Sequence, residues 1–261
     1  MHSCGQTAPG VGKLNLHQLA RRVAARSSHR ATPRTLRRAW TATDSRLARA
    51  RGLEIVHVLH IPKTGGTAIQ HALREVHSTH YAIRLWHHSF RFCDAPCGDK
   101  VAFFVRDPVE RFTSAFNFRK LKGLLAHPEE WTEAETTLFS AYPTANDLAE
   151  ALPSEEASVM AREIMQFAPM GNWLGGPRDL ERRASDILFV GRVESLNVDF
   201  TALCEVLGVV ACLPTDRTRS NRVPRTADTH LSERAQTNLR DWYSVDYKLL
   251  ATIDALGKYR Q

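Results

Sequence analysis

The segment EIVHVLHIPKTGGTAIQHALREVH, residues 54–77, most constrains what this chain can fold into. Residues 54–60 are rich in β-branched side chains and predict a buried strand. After the loop, Ile69 and Leu73 stand at helical spacing and predict an amphipathic helix over residues 67–77. This order of strand, loop and helix places the loop at a helix N-terminus, where free backbone N–H groups can bind an anion.

The loop itself carries the groups that a phosphate would need. The backbone N–H groups of Gly65, Gly66 and Thr67 are predicted to face a ligand at the helix N-terminus. Lys63 can place a positive charge on a phosphate oxygen, and the hydroxyls of Thr64 and Thr67 are further donors. The alternative is a tight turn with an exposed lysine. The common nucleotide-binding loop G-x-x-x-x-G-K-[ST] has its lysine after the glycines, whereas Lys63 precedes them.

A second junction of strand and helix follows in VAFFVRDPVERFTSAF. Residues 101–105 predict a buried parallel strand, which puts Arg106 at its carboxyl end, the edge where ligands bind in open α/β sheets. Asp107 is the predicted helix cap, and Ser114 lies two turns along the helix. Two anion sites on neighbouring strands suit a nucleotide with phosphates at both ends of its ribose. The alternative for Arg106 is an ion pair with Asp107 or Glu110.

The rest of the chain continues the alternation of strands and helices. A mostly helical pattern over about 125–185 is predicted to be an insertion, and residues 186–191 predict a third buried strand. The next helix ends at Gly208, and a long amphipathic helix is predicted over 231–257. The sequence therefore predicts a three-layer α/β fold around a parallel sheet, with residues 53–261 as a single domain.

The net charge of +7 belongs to the beginning of the chain. Residues 1–50 hold ten Lys and Arg against one acid, which leaves 25 basic and 27 acidic residues for the remainder. Nucleic acid is therefore not an expected partner of the body. Residues 1–52 are predicted to be a disordered or partly helical tail, which can touch anionic surfaces.

Targeting and redox signals give few further constraints. Residues 1–30 lack the apolar region of a secretory signal and resemble an organelle transit peptide or the product of an over-extended start codon. No apolar run approaches the roughly 18–20 residues of a membrane span, and a cytoplasmic location is expected. The five cysteines are too few for a disulfide framework, and CDAPC has no partner set to complete a zinc site, so no metal is expected.

Taken together, the two junctions resemble those of the sulfotransferases that use 3′-phosphoadenosine 5′-phosphosulfate (PAPS). HIPKTGGTAI is similar to their 5′-phosphosulfate loop, and FFVRDPVERFTSAF resembles their 3′-phosphate strand and helix. The likeness covers most of residues 54–256 and is closest to the carbohydrate-type branch, which includes the heparan sulfate 2-O-sulfotransferases. It implies a P-loop-like sulfotransferase fold and sulfuryl transfer from PAPS to a hydroxyl of a carbohydrate or other hydroxylated acceptor, with no metal required.

The resemblance also implies roles for individual residues. Arg106 and Ser114 would hold the 3′-phosphate, and a basic loop containing Arg219, Asn221 and Arg222 would close over the nucleotide. The residues that would hold the 5′-phosphosulfate are Lys63, Thr64, Gly65, Gly66 and Thr67.

The general base is sought in LWHHSFRF, which lies between the two nucleotide motifs. Histidine has a pKa suited to proton abstraction near neutrality, and the segment resembles the one that supplies the base in the carbohydrate branch. His88 is preferred to His87, although both can instead be structural. His60 is assigned a structural or supporting role. The aromatic side chains Trp86 and Trp173 fit either an acceptor cleft or the core.

Two other functions are compatible with an anion-binding loop. A P-loop kinase or NTPase predicts G-x-x-x-x-G-K-[ST], which the chain lacks, and a free carboxylate for Mg²⁺ at a strand end, where Asp107 follows an arginine. A non-enzymatic anion-binding protein predicts no affinity for a nucleotide. The sequence favours the sulfotransferase, which acts on a small-molecule or glycan acceptor.

Overall fold

The sheet of this protein is built from parallel strands. The structure, a computed structural model, describes residues 34–124, 127–216 and 228–259. The strands in these ranges are β1 (Glu54–Val58), β2 (Tyr81–Leu85), β3 (Lys100–Val105), β4 (Gly123–Leu124), β5 (His127–Pro128) and β6 (Ile187–Arg192). Four of them form the parallel sheet in the order β2-β1-β3-β6, and β4 and β5 form a separate antiparallel ribbon. The parallel α/β fold predicted from the sequence is confirmed.

Helices account for most of the remaining described chain. They are α1 (Arg34–Arg49), α2 (Gly66–Leu73), α3 (Pro108–Lys120), α4 (Glu133–Ala141), α5 (Ala145–Ala151), α6 (Glu155–Glu163), α7 (Gly171–Leu174), α8 (Pro177–Arg182), α9 (Leu196–Leu207), α10 (Glu233–Trp242) and α11 (Ser244–Ala255). Helices α4 to α8 fall in the region where the sequence predicts a helical insertion.

The single long helix predicted over 231–257 is wrong. The segment forms two helices, α10 and α11, because Tyr243 leaves the helical backbone conformation at φ −100°, ψ 23°. The Tyr243 ring is fully buried, and its hydroxyl donates to the Phe167 carbonyl oxygen at 2.6 Å. The residue at the break is thus held by a tertiary contact, which the amphipathic pattern of the segment does not reveal.

Helices cover both faces of the sheet and make three layers. On one face, Val56, Val58 and Phe104 pack against α2 and α9. On the other, Val101 and Phe103 pack with residues of α7, α8 and α11. A further cluster joins α3 to α4, α5, α6 and α10. Within the described ranges, no helix is long and apolar enough to span a bilayer.

Helix α1 docks on the domain through arginines. The buried carboxylate of Asp94 accepts from Arg34 Nε at 2.7 Å and from Arg37 Nη2 at 3.1 Å. The buried Asp99 accepts from Arg49 Nη2 at 2.6 Å. Residues 34–49, which belong to the segment predicted to be disordered or partly helical, therefore form a helix, and several of its arginines pair with acids of the domain.

The strand order places the two predicted junctions side by side. β1 and β3 are hydrogen-bonded neighbours, with Val58 in register with Ala102. Helix α2 follows β1, and α3 follows β3. Both loops therefore leave the carboxyl edge of the sheet at adjacent positions, where the strand order changes direction, and such a point is where open α/β sheets bind ligands.

Candidate active site

The loop after β1 turns through two left-handed backbone positions. Lys63 has φ 65° and Gly65 has φ 78°. The buried Thr64 closes the turn, because its backbone N–H and its hydroxyl both donate to the Ile61 carbonyl oxygen, at 3.4 and 3.0 Å. The sequence predicts that the Thr64 hydroxyl donates to a ligand. In this conformation its proton is donated to the Ile61 carbonyl oxygen instead, so the hydroxyl stabilises the turn.

The N-terminus of α2 offers free donors. The helix begins at Gly66 without a side-chain cap. Among the residues that the structure describes, none accepts a hydrogen bond from the N–H groups of Gly65, Gly66 or Thr67. Unpaired N–H groups and the positive end of the helix dipole both favour an anion at this position. The backbone thus has the arrangement that the sequence predicts for this loop.

Lys63 stands beside this donor set and is partly buried. Its Nζ lies 3.8 Å from the centroid of the Phe118 ring on α3. Burial lowers the pKa of Lys63 to about 7, and the positive charge of Arg106 contributes to the same shift. The lysine therefore loses its proton far more readily than an exposed lysine, and a bound anion would favour the charged form.

Arg106 lies at the end of β3, where the sequence places it. Its Nε is 3.6 Å from Glu110 Oε2 and, within the described chain, makes no hydrogen bond. Burial lowers its pKa, against the opposing effect of Glu110 and Glu194. The ion pair with Glu110 that the sequence allows is thus present but long, and Arg106 retains donors for a ligand. Ser114 lies two turns along α3 and is partly exposed.

Asp107 begins α3 as predicted. Its Oδ1 accepts from the backbone N–H groups of Val109 and Glu110, at 2.9 and 3.0 Å. Its Oδ2 accepts from the Tyr247 hydroxyl at 3.3 Å. The carboxylate that a kinase would use for a metal is therefore engaged as a helix cap. Across the described residues, no cluster of three or more His, Cys, Asp or Glu side chains could hold a metal ion.

The two adjacent histidines after β2 have different environments. His87 is exposed, whereas His88 is partly buried. His88 Nδ1 lies 2.9 Å from the His60 carbonyl oxygen, and the His88 carbonyl oxygen accepts from Trp173 Nε1 at 2.6 Å. A carbonyl oxygen can only accept, so Nδ1 carries the proton and Nε2 keeps its lone pair. In this tautomer Nε2 is the nitrogen that can accept a proton.

The electrostatics of His88 favour the neutral form. Burial is the main cause that lowers its pKa, and the positive charges of His87 and Lys63 act in the same direction. The His60 carbonyl and Glu129 oppose this shift. His88 is consequently unprotonated at neutral pH and able to accept a proton at Nε2.

His60 lies between His88 and the loop. Its ring centroid is 4.0 Å from that of His88, and the ring lies against Gly66. Burial lowers its pKa well below the ordinary histidine value, and the charges of His88, His87 and Lys63 reinforce the shift. His60 is thus a neutral ring packed between two parts of the candidate site.

Sequence reasoning missed Arg111, which connects the parts of this site. The fully buried guanidinium donates to the carbonyl oxygens of Gln166 at 3.3 Å and Ala168 at 2.5 Å, and lies 3.5 Å from that of Pro62. Its Nη2 is 3.8 Å from the buried Asp246 of α11. One cation therefore joins the loop after β1, α3, the segment between α6 and α7, and the last helix. In the sequence Arg111 stands next to Phe112, on the buried face of α3, and this position could have indicated a buried arginine.

Other residues named from the sequence fall outside this arrangement. Arg219, Asn221 and Arg222 lie outside the described residues. Trp173 is buried in the core, and its Nε1 donates to the His88 carbonyl oxygen. Trp86 stacks on Phe90 at 4.0 Å and is partly buried. Core packing is therefore the role of Trp173, while Trp86 lies at the border of the core.

Comparison with known proteins gives one match. A model of the Sulfotransferase family matches residues 54–251, from β1 through most of α11. No curated protein and no solved structure matches the chain. The matched region includes the loop after β1, the end of β3 and both histidines after β2.

Proposed function

This chain belongs to the sulfotransferase family, and from that premise we propose that it moves a sulfuryl group from PAPS to a hydroxyl group of a carbohydrate or other hydroxylated acceptor, with His88 as the general base. Sulfuryl transfer as a class follows from the family. The donor, the acceptor and the base are the parts proposed here, each from its own observation.

One observation carries the choice of donor. Two cationic junctions leave adjacent strands: Lys63 with the free amides of Gly65 and Gly66 after β1, and Arg106 after β3. A donor that has a phosphosulfate at one end of its ribose and a phosphate at the other has an anion for each junction. In this proposal Thr67 and Ser114 add hydroxyl donors at the two ends, and the segment containing Arg219 and Arg222 contributes further cations.

The base is proposed from hydrogen-bond geometry. His88 takes the proton of the acceptor hydroxyl at Nε2, because Nδ1 already donates to the His60 carbonyl. As the acceptor oxygen forms its bond to sulfur, the bond from sulfur to the 5′-phosphate oxygen breaks. Lys63 and the loop amides stabilise the negative charge left on that phosphate oxygen. His87, which is exposed, is the less suitable of the two neighbours.

The acceptor is proposed from likeness alone. The two motifs resemble those of the carbohydrate-type branch, and this resemblance is the support for a glycan or a hydroxylated small molecule as the acceptor. A heparan sulfate 2-O-sulfotransferase-like specificity is the narrowest form of the proposal. The partly buried Trp86 offers an aromatic face of the kind on which sugars stack.

Thermal unfolding with nucleotides tests the donor. A ligand that binds only the folded state raises the melting temperature by mass action. Stabilisation by 3′-phosphoadenosine 5′-phosphate without a metal is expected, and a response to ATP with Mg²⁺ alone would establish a kinase or NTPase instead. No response to either nucleotide would favour a non-enzymatic anion-binding protein. Transfer of labelled sulfate from PAPS to a panel of glycans and hydroxylated small molecules then identifies the acceptor class.

A further inference from the structure

The imidazole of His60 fills the space between the loop after β1 up to Gly66, called the phosphate loop because it is proposed to hold the 5′-phosphosulfate, and the proposed base His88. On one side its centroid lies 4.0 Å from that of His88, with the ring planes inclined by 46°. On the other side, a Cβ atom built on Gly66 would fall 2.0 Å from His60 Cδ2 and 2.6 Å from Nε2. Real side chains do not approach so closely, so the His60 ring occupies the volume that any side chain at position 66 would need.

Hydrogen bonding does not explain why a histidine occupies this place. His60 is 8% exposed, and its Nδ1 is buried with no hydrogen-bond partner in the described part of the chain. Proteins satisfy most buried polar atoms, so an unpaired one marks a position that is kept for another reason. Burial also disfavours a charged ring here. The shape of the side chain does explain the choice of histidine, because a flat five-membered ring fits between Gly66 and the imidazole of His88.

We propose that His60 is a positioning residue whose ring fixes the separation between the phosphate loop and His88. This inference rests on the proposed function, in which the loop holds the donor and His88 takes the acceptor proton. The backbone of His60 contributes to the same result, because its carbonyl oxygen fixes the tautomer of His88. A single residue thus sets the protonation of the base through its backbone and the position of the base through its side chain.

A double-mutant cycle tests the contact with the loop. Gly66→Ala is expected to lower the melting temperature and to weaken binding of 3′-phosphoadenosine 5′-phosphate, because the new methyl group collides with the His60 ring. His60→Ala added to Gly66→Ala removes the obstacle and is expected to restore both values towards those of His60→Ala alone. Double mutants that lose as much as the sum of the single variants would overturn the proposed contact.

Turnover tests the contact with the base. His60→Ala keeps the backbone carbonyl, so it is expected to retain the tautomer of His88 and nucleotide binding while losing roughly 10- to 100-fold in kcat. The KM for the donor is expected to change by less than about threefold. His80→Ala, which removes an exposed histidine before β2, is the matched control and is expected to leave both constants unchanged.

The pH profile separates positioning from a general loss of stability. The groups that act on His88 are His60, His87, Lys63 and Glu129. Removing the His60 ring reduces the burial that lowers the His88 pKa, while the His60 backbone carbonyl, the charges of His87 and Lys63, and Glu129 remain. The acid limb of the kcat profile is therefore expected to move to higher pH in His60→Ala. An unchanged acid limb, or an unchanged kcat, would refute the proposal.

Failure of this inference is distinguishable from failure of the proposed function. If the wild-type protein gives no thermal shift with 3′-phosphoadenosine 5′-phosphate, the donor assignment fails, whereas the melting temperatures of the cycle still test the packing of His60 against Gly66. If His60→Ala does not fold, His60→Asn provides a smaller change at the same position. Wild-type kcat in His60→Asn, with an unshifted acid limb, would equally overturn the positioning role.

Discussion

The Nζ atom of Lys63 lies 3.8 Å from the centroid of the Phe118 ring, so the lysine proposed to meet the donor rests on an aromatic face of α3. A cation over an aromatic ring is attracted by the ring's electron density, which partly offsets the burial that lowers the lysine pKa to about 7. Only the protonated lysine attracts an anion, so its charge changes within the pH range of ordinary assays.

Affinity for 3′-phosphoadenosine 5′-phosphate is expected to fall as the pH rises through about 7. In the free protein Lys63 loses its proton above that pH. Binding of the anion then requires that the lysine take up a proton again, and the free energy of this protonation weakens the observed affinity. The upper limit is about tenfold per pH unit for one proton. Isothermal titration between pH 6 and 9 measures this slope. In Lys63→Arg, which stays charged, the slope should vanish, and its persistence would show that another group is responsible.

Backbone strain at Lys63 can be separated from its charge. The residue has φ 65°, a conformation that suits glycine and disfavours side chains with a Cβ. Lys63→Gly is therefore expected to be more stable than Lys63→Ala by about 1 kcal/mol, although both lose activity. Urea unfolding of the two variants gives the difference. Equal stabilities would mean that the loop relaxes when the lysine is removed.

His88→Ala is expected to lower kcat by roughly 10²- to 10⁴-fold, the usual contribution of a general base. Nucleotide binding should be retained, because the loop amides and Arg106 are untouched. Transfer of labelled sulfate and the thermal shift with nucleotide measure the two properties separately. His87→Ala is the neighbouring control, and if it proves the more damaging variant, the assignment of the base is reversed.

Arg111→Met is expected to destabilise the protein by about 3–5 kcal/mol, because it leaves the buried carboxylate of Asp246 without its cation. The variant also frees the carbonyl oxygens of Gln166 and Ala168. Asp246→Asn combined with Arg111→Met should cost less than the sum of the two single changes, since no unpaired charge then remains. Additive losses, measured by urea unfolding, would show that the two side chains act independently.

Helix α1 is expected to contribute to the stability of the domain. Arg34→Ala combined with Arg37→Ala removes two donors from the buried Asp94 carboxylate and should lower the melting temperature by on the order of 4 °C. Arg46→Ala removes an exposed arginine from the same helix and is the control. A melting temperature equal to that of the control would mean that α1 packs without stabilising the domain.

Local patterns predicted the parts of the fold that depend on neighbouring residues. The apolar run before Arg106 became β3, Asp107 caps α3, and Gly208 ends α9 with φ 64°. Each of these rests on strand periodicity or on a cap, which a few consecutive residues determine. Alternation of strands and helices does not by itself place the two junctions side by side, because β2 lies between β1 and β3 in the chain.

Contacts between residues that are far apart in the chain could not be predicted from such local patterns. The docking of α1 depends on acids about 50 to 60 residues away, such as Asp94, and the break at Tyr243 depends on Phe167. Arg111 shows the same limit, because nothing near it in sequence indicates that its partner is Asp246. The charge block of the tail likewise gave no indication that arginines of α1 pair with buried acids of the domain.

The space shared by His60 and Gly66 also constrains how this site can change over evolutionary time. A methyl group at position 66 collides with the imidazole at position 60 unless one of them moves, so alanine at 66 is expected to be costly while the ring is present. A lineage that loses the ring at 60 first avoids this cost when it acquires alanine at 66. Descendants of this sequence should therefore show the two positions varying together, with histidine at 60 accompanied by glycine at 66.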